Sequence, residues 1–280
     1  MTIELVPADK YTIEELTDAY NQTRVDYMVP MPMNAARLRE YVHLYNVHLD
    51  KSLVAKENGD IIGLGMLAVR PNRSWITRLG LVANSRGKGT GKALMSGLLQ
   101  FSDDLGIEKN MLEVIHGNTP AHKLFQKLDF QEKGELLILR RAPKDLPPPT
   151  AEIDWLEQGE VLPLLATRTL EQAWTNQTES LENAKGLVGF KVATSDGGRG
   201  WMIFQRTLFN LSRLMFMTEG GDPVNIMREL LRHLHHSYPN LDTYTENIPA
   251  DDPQLPAFYE IGYFEAFRRI EMQRFPNPQN

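Results

Sequence analysis

The stretch LGLVANSRGKGTGKALMSGLLQF, residues 79–101, constrains the fold more than any other part of the chain. It leaves an apolar, strand-like segment at Val82 and crosses the short connection ANSRGKGTG. It then enters a helical pattern over Lys88 to Phe101, with Leu94, Leu98, Leu99 and Phe101 apolar. A strand that turns so directly into a helix belongs to a fold in which helices pack on a sheet. Glycines in such a loop allow positive φ and the close approach of a ligand. The first amides of the helix have no intrahelical partner and, with the helix dipole, favour an anion, phosphate above all. Arg86, Lys88 and Lys92 add positive charge around them. Two nucleotide motifs fail. A P-loop needs Ser or Thr after Gly91-Lys92, where Ala93 stands, and the dinucleotide fingerprint needs glycine where Leu94 stands. The loop is therefore either a diphosphate cradle of another kind or a tight turn with a solvated basic face.

The surrounding pattern alternates strands and helices. Ile3 to Val6 reads as a strand, and Ile13 to Val25 and Asn34 to Leu49 as helices. SLVAKENGDIIGLGMLAV is a hairpin turning at Asn58-Gly59-Asp60, and SWITRLGLV is the next strand. After the loop helix come a strand in NMLEVIH, a helix over Thr119 to Leu128, and a closing strand in GELLILRR. Pro147, Pro148 and Pro149 then suit a stiff linker. The expected division is 1–145, a linker at 146–151, and 152–280. The order recurs in the second half, with a hairpin turning near Asp196-Gly197-Gly198, a strand in NLSRLMFMTE, a helix over Val224 to His236, and strands in LDTYTENIP and YFEAFRRIEMQRF. TRLGLV at 77–82 matches SRLMFM at 212–217, and NTPA at 118–121 matches NIPA at 247–250. The shared order points to a diverged tandem repeat.

The 280 residues contain 42% hydrophobic residues, enough for sizeable cores, and no cysteine, which excludes disulfides and thiolate chemistry. No metal site is expected. The net charge of -6 argues against a general nucleic-acid binder, and the excess acid lies in the second half. No signal peptide or membrane-length apolar run is evident, so a cytoplasmic protein without a membrane partner is expected.

The pattern Arg86-x-x-Gly89-x-Gly91 after TRLGLV resembles the acetyl-CoA loop of the GCN5-related N-acetyltransferases, the GNAT superfamily. LEVIHGNTPAHKLFQKLDF, residues 112–130, resembles the family's following segment, with Asn118, Ala121, Leu124, Leu128 and Phe130 in the family's places. The likeness covers roughly residues 1–142. It implies an α/β (α+β) chain of two tandem GNAT-like domains, each a mixed, mostly antiparallel sheet flanked by helices. It also implies that backbone amides from Arg86 through Gly91 (Gly87, Lys88, Gly89 and Thr90 between them) hold the diphosphate of acetyl-CoA, with Lys92, Asn118 and Phe125 at the same site. The edge of the strand at Leu81 and Val82 would pair with the pantetheine amides, and an amide near Leu81 or Val82 would stabilise the oxyanion.

Acetyl transfer to an amine asks for a base and for an acid at the departing sulfur. Glu113 is the first candidate base, by likeness to ribosomal-protein alanine acetyltransferases, where the matching glutamate works through water. An ordinary strand glutamate is the competing reading. His116 is the second candidate. The family's usual tyrosine acid is replaced here by Phe125. Thiolate then leaves unassisted, another hydroxyl (Tyr27, Tyr41 or Tyr45) substitutes, or the domain binds acyl-CoA without efficient turnover. On the substrate side, Asp26 suits an ammonium, and Tyr27 with Met28, Met31 and Met33 suits an adaptable apolar wall. Ordinary packing plus a surface acid is the alternative. In the second half Arg86 has no counterpart, and Asp222-Pro223 reads as an ordinary helix cap and first turn. That half is expected not to bind CoA in the family manner. The leading expectation is an acetyl-CoA-dependent N-acetyltransferase of a small-molecule amine or peptide, a monomer (pseudo-dimer) or homodimer. An acyl-CoA sensor is the alternative, and O-acetyl transfer is a third reading.

Overall fold

A computed structural model describes residues 3–276. The chain divides into two compact units, residues 1–133 with 271–280, and residues 134–270.

In the first unit, β1 (Glu4–Pro7) precedes α1 (Ile13–Gln22) and α2 (Ala35–Leu44). A reciprocal capping box starts α1, with Glu15 N donating to Thr12 Oγ1 and Thr12 N donating to the Glu15 carboxylate. The helix stops at Gln22, short of Val25. There Thr23 turns its hydroxyl back onto the Tyr20 carbonyl at 2.7 Å and leaves no continuing turn. Asn34 caps α2 by accepting from Arg37 N, and α2 also ends before Leu49, where Asn46 takes φ +57°. The strands β2 (Leu53–Glu57), β3 (Asp60–Arg70) and β4 (Arg73–Leu81) form an antiparallel set with β1 on its outer side. Helix α3 (Thr90–Asp104) leads to β5 (Lys109–Ile115), which pairs parallel with β4, and α4 (Thr119–Gln126) follows. Leu16, Tyr20 and Leu38 from the first two helices, Leu64, Met66 and Leu67 from β3, and Leu94, Met95 and Leu98 from α3 fill the core. Each such side chain contributes about 1.5–3 kcal/mol on burial. Leu94 and Leu98 lie one turn apart, as the helical spacing requires.

The expected closing strand of the first half, β6 (Gln131–Arg141), pairs through Leu136–Arg141 with a strand of the second unit. The two compact units divide at Lys133/Gly134, and the proline run lies within the second unit. That unit continues with β7 (Glu152–Trp155), α5 (Gln158–Leu165) and α6 (Thr178–Glu182), two helices too short and irregular to read from periodicity. The strands β8 (Leu187–Ala193), β9 (Arg199–Arg206) and β10 (Asn210–Gly220) are antiparallel neighbours, with β7 beside β8. Helix α7 (Pro223–Ser237) buries Ile226, Met227, Leu230, Leu231 and Leu234. β11 (Asp242–Pro249) runs parallel to β10 and antiparallel to β6, followed by α8 (Leu255–Glu260) and β12 (Phe264–Arg274). The last residues of β12 belong to the first unit, where Arg274 Nη1 donates to Asn110 Oδ1 at 2.9 Å and to Asp103 at 3.3 Å.

One irregularity marks both units. In β4 two residues, Arg78 and Leu79, oppose one on β3, and Arg78 takes φ +54°. In β10 Arg213 takes φ +53° at the same kind of register shift against β9. A bulky residue at positive φ costs about 1–3 kcal/mol. The matched strings TRLGLV and SRLMFM thus share a costly bulge as well as letters. Among the described residues no helix is long and apolar enough to cross a membrane.

Candidate active site

The bulge at Arg78 decides where the site can be. Pairing between β4 and β5 ends at Ile76 and Leu112, and beyond it the two strands part. Val82 N donates to Ile62 O at 3.0 Å, and Val82 O accepts from Ser85 N, so the Val82 backbone is already engaged. By the alternation of an antiparallel ladder, the Leu79 and Leu81 carbonyls turn the other way, to the open edge. The edge is thus offered by Leu79 and Leu81 rather than by Leu81 and Val82. Two guanidinium groups cover it, with Arg24 Nη2 donating to Leu79 O at 3.0 Å and Arg86 Nε donating to Leu81 O at 3.2 Å.

The glycine loop continues from this edge. Residues Ala83–Ser85 form one tight turn, and Arg86 N donates to Ala83 O, so the Arg86 amide faces inward and leaves the cradle to the residues after it. Gly87 has φ +75° and Gly89 φ +91°, and a Cβ on either would meet nothing within 4 Å. Helix α3 therefore begins at Thr90 from a left-handed Gly89 cap with no capping side chain. Its first closing bond runs from Ala93 N to Gly89 O, which leaves the Thr90, Gly91 and Lys92 amides without helical partners. Thr90 is buried, Lys88 and Lys92 are exposed, and Gly91 sits against Leu81 and Leu124.

Asp26 does not stand alone. Its carboxylate receives Arg86 Nη1 and Nη2 at 2.6 and 2.7 Å, a fork-on-fork pair. Those bonds from the guanidinium hold the carboxyl below its ordinary range. Tyr27 Oη lies 3.2 Å from Asn118 Nδ2, and Asn118 caps α4 by accepting from Ala121 N. Arg24 stacks over the Tyr27 ring at 4.2 Å. The segment after α1 therefore bridges the edge of β4 and the turn before α4. Arg86, Asp26, Tyr27, Asn118 and Leu81 come together there. Phe125 turns into the core, buried against Phe130.

Glu113 is half-buried on β5 and His116 is exposed at its end. The charge of Glu113 reaches Tyr41, whose phenol is pushed well above its ordinary range, chiefly by burial. Tyr41 Oη shares a 2.6 Å bond with Thr77 Oγ1. The Arg78 guanidinium lies 4.2 Å over the Tyr41 ring and donates to Tyr20 Oη at 3.1 Å. Arg24, Arg78, Tyr20 and Thr77 were not foreseen at the site. The one signal for Arg78 was its place in the repeated TRLGLV string.

The corresponding loop of the second unit is closed. A Cβ on Gly221 would lie 2.7 Å from Gly198 Cα, and Asp222 accepts from Asn225 N at 2.8 Å, so a carboxylate sits at the first turn of α7.

The acetyltransferase (GNAT) family model matches residues 13–130, which span α1 through α4 and contain the open edge, the glycine loop and Asn118. That match places the segment 13–130, less than half of the chain, in the GNAT family. Within it, a spermine/spermidine N(1)-acetyltransferase of Bacillus subtilis (strain 168) is 30% identical over 98 residues, 32% of this chain and 64% of that protein. The chain thus spans less than two thirds of that relative's length. A tandem GNAT protein from the clavulanic acid biosynthesis pathway has the same fold, with a TM-score of 0.68 at 12% identity, covering 100% of both chains. A GNAT protein of Sphaerobacter thermophilus also superposes at 0.68, with 14% identity over 99% of this chain and 97% of that one. Two copies of one fold in tandem account for the recurring order of elements and for the twin bulges at Arg78 and Arg213.

Proposed function

We propose that this protein transfers an acetyl group from acetyl-CoA to the amine of a small molecule or peptide, using its first unit. The observation that carries the reading is the unobstructed left-handed loop at Gly87 and Gly89, set between uncapped α3 amides and the open edge of β4. The amides of Gly87 to Lys92 suit a diphosphate, with Lys88 and Lys92 nearby. The backbone of Leu79 and Leu81 suits the amides of a pantetheine arm once the covering guanidinium groups move aside. Glu113, half-buried on β5 one residue past the last β4–β5 pair, takes the proton of the attacking amine, directly or through water. Asp26 offers its carboxylate to a cationic acceptor after Arg86 turns to phosphate. The resemblance to a protein named for spermine and spermidine acetylation makes polyamines the first acceptors to test.

The experiment is release of free CoA thiol from acetyl-CoA, against spermine, spermidine, amino sugars, amino acids, short peptides and alcohols. Amine-dependent release supports the transferase. Alcohol-dependent release instead assigns O-acetyl transfer. Tight acetyl-CoA binding without release refutes the transferase in favour of a sensor, the reading that a buried Phe125 favours.

A further inference from the structure

Phe125 on α4 has no hydroxyl, is 5% exposed and packs on Phe130. If the site transfers acetyl groups as proposed above, the proton for the departing sulfur comes from elsewhere. The tyrosines around the divergence of β4 and β5 differ in what binds their hydroxyls. Tyr20 is fully buried and accepts from Arg78, and Tyr41 is buried and bonded to Thr77. Tyr45 is buried edge-on between Tyr41 and Trp75. Tyr27 alone of these four is only half-buried.

The bond at Tyr27 also has a fixed direction. Asn118 Oδ1 accepts from the Ala121 amide, and a main-chain N–H can only donate. The other end of the Asn118 amide, Nδ2, therefore faces Tyr27 and donates to Oη. Because Oη accepts that bond, its own hydrogen points to a different partner. The ring is fixed as well, since Arg24 lies 4.2 Å over it and donates to Leu79 O on the open edge of β4. Tyr27 is thus held between Arg24, which is bound to the β4 edge, and Asn118 at the start of α4.

We infer that Tyr27 is the proton donor to the leaving sulfur, a catalytic residue supplied from the segment after α1 instead of from α4. As the carbon–sulfur bond breaks, its electron pair passes to sulfur, which takes the Tyr27 Oη proton. The phenoxide keeps the Asn118 hydrogen bond and regains a proton from solvent. The amine proton leaves by way of Glu113, so the products are the amide and free CoA thiol.

The test uses the full chain with acetyl-CoA and spermine, or the fastest amine in the panel where spermine is inert. Tyr27→Phe keeps the ring under Arg24 and removes only the hydroxyl. It should lower kcat roughly 100- to 10,000-fold. The acetyl-CoA dissociation constant, measured by calorimetry, should stay within about twofold of wild type, as expected for a group that acts only as the bond breaks. Adding Phe125→Tyr to that variant restores the family's hydroxyl and should recover part of the lost kcat. Unchanged kcat in Tyr27→Phe, or a raised KM alone, overturns Tyr27 as the acid while leaving the transferase intact. Absence of amine-dependent release by the wild-type protein overturns both.

Discussion

Replacing Gly89 with alanine separates a backbone effect from a ligand effect, because the fold contains a matched control. Gly89 (φ +91°) caps α3 at its start, and Gly106 (φ +67°) lies just beyond its end. A Cβ at either position meets nothing within 4 Å, so neither alanine creates a clash. Both pay only for an L-residue in the left-handed region, about 1–2 kcal/mol. Each kcal/mol lowers the melting temperature by about 2–4 °C for a chain of this size class. The two variants should therefore melt alike, a few degrees below wild type. Their acetyl-CoA affinities should differ. If the space beside Gly89 holds a diphosphate, the added methyl group displaces it from the Thr90 and Gly91 amides. Loss of one hydrogen bond to a charged group is worth about 1.5–3 kcal/mol, a roughly 10- to 100-fold weaker dissociation constant. Gly106→Ala should bind as wild type. Calorimetric titration with acetyl-CoA decides, and equal affinity for Gly89→Ala and wild type would refute the assignment of the loop.

The other predictions concern the base and the two cores. Glu113→Gln should lower kcat with little change in acetyl-CoA affinity; an unaltered kcat in stopped thiol-release assays would return Glu113 to a structural role. His235 is buried, its Nε2 2.9 Å from Tyr263 Oη, and burial, with the nearby Arg141 charge, pulls its pKa down to about 3. The unfolded chain then binds the extra proton between about pH 6.5 and 3, so this group's stabilisation is complete above pH 6.5 and drains away below it, by up to about 1.4 kcal/mol per pH unit. His235→Gln should flatten that slope in urea titrations between pH 6.5 and 4.5. Arg274→Ala orphans Asn110 Oδ1 on a fully buried asparagine and should cost about 1–3 kcal/mol, read as a lower urea midpoint; no loss would show that the end of β12 does not support the first unit.

Local chemistry wrote much of this protein into its sequence. Periodicity placed β3, β4, α3 and α7, and the Asp196 to Gly198 turn marked a hairpin. Capping chemistry marked Asp222 as the residue before α7. Gly87 and Gly89 announced a left-handed loop because glycine, lacking a Cβ, takes that conformation without strain. All of these depend on neighbours within a few residues. The site was legible only in part. Arg86 and Asp26 are 60 residues apart, and Asn118 and Tyr27 are 91 apart. Asp26, read as a ligand for an ammonium, is engaged by a guanidinium, and Phe125 is core.

The sequence by itself determined the elements, their order, the repeat and the conformation of the glycine loop. Tertiary structure alone decided that β6 makes its ladder in the second unit and that the end of β12 returns to the first. It also decided which carbonyls of β4 turn away from β3 and meet Arg24 and Arg86 instead. Strand pairing uses the same N–H and C=O groups at every residue, so side-chain identity cannot name the partner. That choice is made only when distant segments compete for one edge.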